Sequence, residues 1–213
     1  MNKSLLITRP DHDLVTKYLC VWSGDIVTLA HRKGFVVYDL KGKKANRRQF
    51  ESYFSAHHPV LLFLNGHGNS RSITGHNNES LVEQTSDLQG TIVYARSCDA
   101  GLILGMQLVN MGTRSFIGYR RKFFCGYSPE KITKPHQDPI ARLFLEPSNL
   151  ILSTLIKHHT AEEAHRRSKD AMYKNFRRMV SSTASYEERY AARWLWSNIN
   201  CQVLLGDPQA KTA

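Results

Sequence analysis

Cysteine is scarce in this chain of 213 residues: there are four, at positions 20, 98, 125 and 201. They lie far apart and form no Cys-x-x-Cys pair, which argues against a disulfide framework or a zinc ribbon and points to a reducing, cytoplasmic setting. Long apolar runs are missing too; nothing approaches the roughly 18 consecutive residues that a membrane span requires. The opening MNKSLLITRPDHD carries a charge and a short apolar stretch, but the stretch is brief and no small-residue cleavage site follows. No signal peptide is expected. Internal repeats, low-complexity tracts and linkers are also absent, so residues 1–213 read as a single domain, long enough to bury a real core.

Acidic residues are outnumbered: 18 Asp and Glu stand against 29 Lys and Arg, a formal net charge of +11. The basic residues are scattered through KGKKANRR (41–48), RRK (120–122), HRRSK (165–169) and the Arg177-Arg178 pair. No zinc-finger or aromatic RNP pattern accompanies them. The charge therefore reads as solvated faces rather than a nucleic-acid interface.

Short apolar runs alternate with helical stretches. SLLITRP (4–10) reads as a strand ended by Pro10, followed by DHDLVTKYLCVW, a helix opened by a capping Asp. GFVVYDL and PVLLFLNGHG are the next strands, with a helix over 45–58 between them. Residues 71–90 are polar and punctuated by Gly75 and Asn77-Asn78, as in a small hairpin or loop. GTIVYARSCDAG is a further strand, then a helix that Gly112 ends. RSFIGYRRKFF is a strand, followed by a Pro-containing excursion. The stretch 138–180 is mostly helical, with Pro147 expected to break it and Thr160 to cap its second part. A helix over 185–199 and a final strand in CQVLLGDP complete the chain. This alternation predicts an α/β domain with a mainly parallel sheet covered on both faces.

In such sheets ligands bind beyond the carboxyl ends of the strands. Two strands end in chemistry there: one delivers Asn65-Gly66-His67-Gly68, the other Ala95-Arg96-Ser97-Cys98-Asp99-Ala100-Gly101. If the strands are neighbours, His67 and Cys98 share an edge, and a histidine base can activate a thiol whose ordinary pKa is near 8.5. A helix starting around Gly101 would favour the thiolate through its dipole. The backbone N–H groups of Gly68 and Cys98 are candidates for an oxyanion hole.

A strand ending in His-Gly, a hairpin, and a strand ending in Ser-Cys before a helix resembles the caspase-type cysteine peptidases, which include caspases, metacaspases, legumain, clostripain, gingipains, separase and the bacterial CHAT proteases. The terminal LLGDP also resembles the end of gingipain-like domains. The resemblance implies a caspase-hemoglobinase-like three-layer sandwich, with Cys98 as nucleophile, His67 as general base and the Gly68 and Cys98 amides as oxyanion donors. It implies no cofactor. Two departures stand out. Cys98 follows His67 by 31 positions, against about 50 in caspases, and the tripeptide is Arg-Ser-Cys rather than Gln-Ala-Cys. No third member of a triad is evident.

In these relatives the residue two before the nucleophile lines the S1 pocket. Here it is Arg96, whose guanidinium matches a carboxylate, so an acidic P1 side chain is expected, with Arg120 or Arg121 assisting. A basic P1 recognised by Asp87, Asp99 or Asp138 is the alternative. No histidine set reads as a metal site; the nearest, His158 with Glu162 and His165, lacks the His-Glu-x-x-His pattern. The expected partners are a protein or peptide substrate and an activating partner protein or ligand, with no membrane and no nucleic acid. By analogy, regulated peptidases of this size serve as effectors, bacterial antiviral defence among their settings. The competing readings are a catalytically silent caspase-like module that binds a partner, and a basic nucleic-acid-binding domain.

Overall fold

The computed structural model describes residues 3–212; Met1, Asn2 and Ala213 lie outside it. Eight strands are present among the described residues: β1 (Ser4–Arg9), β2 (Val36–Lys41), β3 (Leu61–Asn65), β4 (Ser72–Thr74), β5 (Ser80–Glu83), β6 (Ile92–Arg96), β7 (Ser115–Tyr119) and β8 (Gln202–Gly206). The α-helices are α1 (Leu14–Arg32), α2 (Arg47–His57), α3 (Leu104–Asn110), α4 (Pro139–Ile156), α5 (Ala161–Met179) and α6 (Tyr186–Cys201). Six strands form one sheet in the order β2-β1-β3-β6-β7-β8; only β8 runs antiparallel to its neighbour. β4 and β5 form a separate antiparallel hairpin.

The apolar runs of the central strands follow from burial on both faces. Alternate side chains point to opposite sides of a strand, and each side has its own core. Leu5, Ile7, Leu61, Phe63, Ile92, Tyr94 and Ile117 pack with residues of α1, α4, α5 and α6. Leu6, Leu62, Leu64, Val93, Ala95 and Phe116 pack instead with Phe50 of α2, Leu104 and Leu108 of α3, and Ile73, Leu81 and Val82 of the hairpin. The result is the expected three-layer α/β sandwich with a mainly parallel sheet. None of its described helices is long and apolar enough to cross a membrane.

The caps follow their chemistry. Asp13 caps α1 in a reciprocal box with Thr16, and Ser185 caps α6 in another with Glu188. Thr160 accepts from the Glu163 amide at the start of α5, as its spacing predicts. Gly112 takes the left-handed conformation, φ +103°, just past α3.

Pro147 corrects one expectation. It sits inside α4, which runs unbroken from Pro139 to Ile156. A proline there removes the N–H that would bond the carbonyl four residues back and crowds that carbonyl. The carbonyl is Leu143's, and the Asn175 side-chain amide of α5 donates to it at 2.9 Å. A tertiary partner thus replaces the missing intrahelical bond, and the chain turns only at residues 157–160. Asn175→Ala is expected to cost about 1–2 kcal/mol in a denaturation experiment, the usual penalty for orphaning a buried carbonyl. In a Pro147→Ala background the restored N–H takes the carbonyl, so the cost of removing Asn175 shrinks; equal costs in both backgrounds would refute this account.

Candidate active site

β3 and β6 are direct neighbours in parallel register, with Asn65 opposite Arg96. Two residues farther on, His67 and Cys98 leave the same edge of the sheet side by side. The two loops are tied together: the Ser97 hydroxyl donates to the His67 carbonyl at 2.9 Å. The β4–β5 hairpin closes over the first loop. The Thr74 amide donates to the His67 carbonyl at 2.9 Å, and the Asn69 amide to the Ser72 carbonyl at 3.0 Å.

Gly68 is a glycine because of this closeness. A Cβ on Gly68 would lie 2.1 Å from Ser97 Oγ and 2.7 Å from the Ser72 carbonyl oxygen, and one on Gly66 would lie 1.9 Å from the Thr74 carbonyl oxygen. The two glycines admit the hairpin backbone on one side and the Ser97 loop on the other. Among the described residues, the amides of Gly68 and Cys98 donate no hydrogen bond.

The partner of His67 was not legible in the motif. His67 Nε2 lies 2.6 Å from Asp13 Oδ2, 54 residues earlier in the chain. Asp13 is also the residue whose other oxygen caps α1, accepting from the Thr16 amide at 2.8 Å. Burial pushes the Asp13 pKa up, but the Thr16 amide and the hydrogen bond to His67 outweigh it, and the carboxyl falls to about 2. The only signal in the sequence was a capping Asp, which has an ordinary reason to sit before a helix. With Nε2 engaged by Asp13, the Nδ1 of a neutral His67 is left as the acceptor.

Cys98 is partly buried, and burial raises its pKa; the neighbouring Asp99 adds to this, while Lys122 and the contact with Phe123 oppose it. Its sulfur lies 4.0 Å from the Phe123 carbonyl oxygen. Among the described residues no hydrogen bond joins Cys98 to His67. The helix-dipole expectation is corrected as well: α3 begins only at Leu104, after a series of turns, and is seven residues long. The field of a helix end falls off within a turn, so α3 does little for a thiol six positions before it.

The residues expected to set specificity are dispersed. Arg96 does not line an open pocket: it is fully buried. It donates to Asn65 Oδ1 at 2.7 Å, Asn149 Oδ1 at 3.1 Å, Ser23 Oγ at 2.5 Å and the Leu19 carbonyl at 3.3 Å, and it stacks on Phe63. Enclosed by the protein, the guanidinium has no open side left for a substrate carboxylate. Asp87 lies beside Val60 and Thr91 in a cavity at the opposite, amino-terminal edge of the sheet. Asp138 is buried and committed, accepting from the Tyr18 hydroxyl and the Ser128, Ile140 and Ala141 amides. Arg120 and Arg121 are exposed and border a recess with Arg193, Trp196 and Asn200. The Asp99 amide donates to the Arg121 carbonyl, which places this recess beside the Cys98 loop.

All four cysteines are free; Cys20 and Cys201 are buried, and burial drives Cys125 up to about 12. His158 contacts Thr212 and His165 reaches toward the Gln202 carbonyl, so these two do not converge. The one cluster among the described residues with metal-ligand geometry is His12, Asp13 and His67.

No protein-family model and no curated protein matches the chain. Solved structures do. The complex of the pro- and mature domains of RgpB from Porphyromonas gingivalis superposes with a TM-score of 0.59 at 10% identity, over 98% of this chain and 48% of that one. The Arg-specific cysteine proteinase gingipain R (RgpB) gives 0.59 at 12% identity, over 98% and 47%. A structure described as a protease gives 0.51 at 13% identity, over 99% and 48%. The chain thus has the caspase-like fold of gingipain R and spans about half the length of these neighbours.

Asp13 serves two structures, and substitutions separate them. Asp13→Ala removes the α1 cap and is expected to cost about 1 kcal/mol, whereas Asp13→Asn keeps most of it. A carboxyl whose folded pKa lies near 2, below its ordinary 3.8, stabilises the fold fully above pH 4 and loses that contribution as pH falls toward 2. Stability measured from pH 5 to pH 2 should therefore fall less steeply for Asp13→Asn than for the parent; parallel curves would contradict the assignment.

Proposed function

We propose that the chain is a cysteine endopeptidase in which Cys98 attacks the scissile carbonyl and His67, held by Asp13, moves the protons. The observation that carries this reading is the 2.6 Å contact between His67 and Asp13 at the strand end next to Cys98. A histidine that merely packed would not need a carboxylate on Nε2 beside a loop that carries a thiol. The gingipain-like fold is consistent with it.

The chemistry follows from the positions. His67 Nδ1 takes the proton of Cys98 Sγ as sulfur bonds to the carbonyl carbon. Charge develops on the carbonyl oxygen, and the free Gly68 and Cys98 amides receive it. Asp13 stabilises the imidazolium that forms. Collapse expels the amine, which leaves with the proton from His67, and a thioester remains. Water activated by His67 then hydrolyses it by the same steps. No cofactor is required.

The resting geometry fits a regulated enzyme. A thiol with a raised pKa, turned toward the Phe123 carbonyl and not bonded to His67, must be re-aimed before it reacts. Substrate or an activating partner that moves the 120–127 segment would do this, because that segment supplies the carbonyl now facing the sulfur. For the P1 side chain, the acidic preference is now carried by Arg120 and Arg121 in place of Arg96. The neighbour gingipain R is Arg-specific, and of the acids that would serve such a preference here, Asp99 is the one left beside Cys98.

A peptide electrophile directed at thiols is expected to label the parent at Cys98 and to leave Cys98→Ala unlabelled. His67→Ala should slow labelling on the order of 10²–10⁴-fold, and Asp13→Asn should slow it while remaining folded. Labelling at another cysteine, or at equal rates in His67→Ala, sinks the dyad. A panel with Asp, Arg, Lys and Leu at P1, repeated on Arg120→Ala/Arg121→Ala, decides the preference. Arg cleavage that survives the double substitution would point to Asp99.

A further inference from the structure

Asp13 and His67 have a third neighbour that proteolysis does not use. His12 precedes the helix cap, and both of its ring nitrogens are buried with no hydrogen-bond partner. An imidazole usually bonds through at least one nitrogen when it is buried, since leaving both unmet costs free energy. Its Nε2 lies 3.6 Å from Asp13 Oδ2, the same oxygen that meets His67 Nε2. One donor atom each from His12, Asp13 and His67 fall within 4.8 Å of one another. His76 stands behind, its ring 5.2 Å from that of His12 and its Nδ1 3.6 Å from Asp11 Oδ1.

We propose that His12, Asp13 and His67 bind one Zn²⁺-type ion, and that this ion switches the peptidase off. The inhibitory half rests on the function proposed above; the binding half does not. Two imidazoles and one carboxylate suit zinc and its neighbours in the first transition row, and they do not suit Mg²⁺ or Ca²⁺, which take oxygen ligands. Donor atoms roughly 2.0–2.2 Å from a tetrahedral zinc are about 3.3–3.5 Å apart. The His12–Asp13 separation already matches, and the His67–Asp13 pair needs to open by under an ångström. Three protein ligands leave a fourth position for water, and the half-exposed Asp13 and His67 give the ion a way in.

The switch is electronic as well as steric. A neutral imidazole that binds metal through Nε2 carries its proton on Nδ1. In that tautomer Nδ1 cannot accept the proton of Cys98, and Asp13, now a metal ligand, no longer stabilises an imidazolium. A His67 that was already protonated must release one proton to solvent on binding.

Co²⁺, which reports tetrahedral coordination by visible absorption, tests the binding directly. One ion per chain should bind, be displaced by Zn²⁺ and resist millimolar Mg²⁺. His12→Asn should weaken binding at least tenfold, in the range seen when a metal site loses supporting groups. His12→Gln serves as a second variant, and circular dichroism checks that both are folded. Cys98→Ser should bind as the parent does, with no sulfur-to-metal charge-transfer band in the parent. Failure to bind one ion, equal binding in both folded His12 variants, or loss of binding in Cys98→Ser overturns the site. Zn²⁺ should slow electrophile labelling of Cys98 in the parent, reversibly on chelation and far less in the His12 variants. Binding that depends on His12 but leaves labelling unchanged would overturn the switch while keeping the site. A chain that binds Co²⁺ as expected but cleaves no peptide would count against the peptidase reading alone.

Discussion

The geometry of the site depends on a buried positive charge. Arg96 ends β6 with its guanidinium fully enclosed, and no carboxylate is among its hydrogen-bond partners. Two side-chain amide oxygens, a hydroxyl and a carbonyl solvate it instead, with the Phe63 ring beneath. Burial alone pushes its pKa down, so those neutral dipoles must be held in place for the charge to persist. They come from β3, α1 and α4, and each is fixed in turn: Asn65 donates to the Thr8 carbonyl, and Asn149 to the Trp22 carbonyl. One guanidinium therefore locks the edges of β1, β3 and β6 and the middle of α1 into a single relation. His67 lies two residues beyond Asn65, Cys98 two beyond Arg96, and Asp13 at the cap of α1. Their mutual placement follows from that network.

Above this floor the site is built from backbone closeness. The hairpin presses its carbonyl oxygens onto Gly66 and Gly68, and Ser97 reaches across to the His67 carbonyl. Such contacts fix the main chain of both loops. A cap residue that also holds the base connects the two levels. Asp13 cannot shift without disturbing the first turn of α1, so the carboxylate is as fixed as the helix is.

Much of this was legible in the sequence. The alternation of short apolar runs with helical stretches predicted the layers, and continuous apolar strands predicted burial on both faces. The His-Gly and Ser-Cys strand ends predicted which loops meet, because parallel neighbours share an edge. What failed was anything decided by a distant residue. Arg96 beside a nucleophile looks like a substrate ligand until Asn149, 53 positions away, and Ser23 are known to surround it. Pro147 looks like a helix break until Asn175 supplies the donor the proline lacks. Asp13 looks like a cap and nothing more, since its second role comes from a loop 54 residues on. Local propensity describes the backbone well, but a polar side chain is defined by its partners, and those are set by the fold.

The thiol rests without a hydrogen bond to His67. A nucleophile with a depressed pKa beside a ready base would react with any electrophile it met. Here burial and Asp99 favour the neutral thiol, and the carboxylate draws the imidazole through Nε2 with nothing pulling Nδ1 toward sulfur. The rigid parts of the site, amides and carboxylate, are those that gain most from preorganisation. On the proposed function, the part left to adjust is the approach of sulfur to Nδ1, the step that a bound substrate, a partner on the 120–127 segment or an ion on His67 would each control.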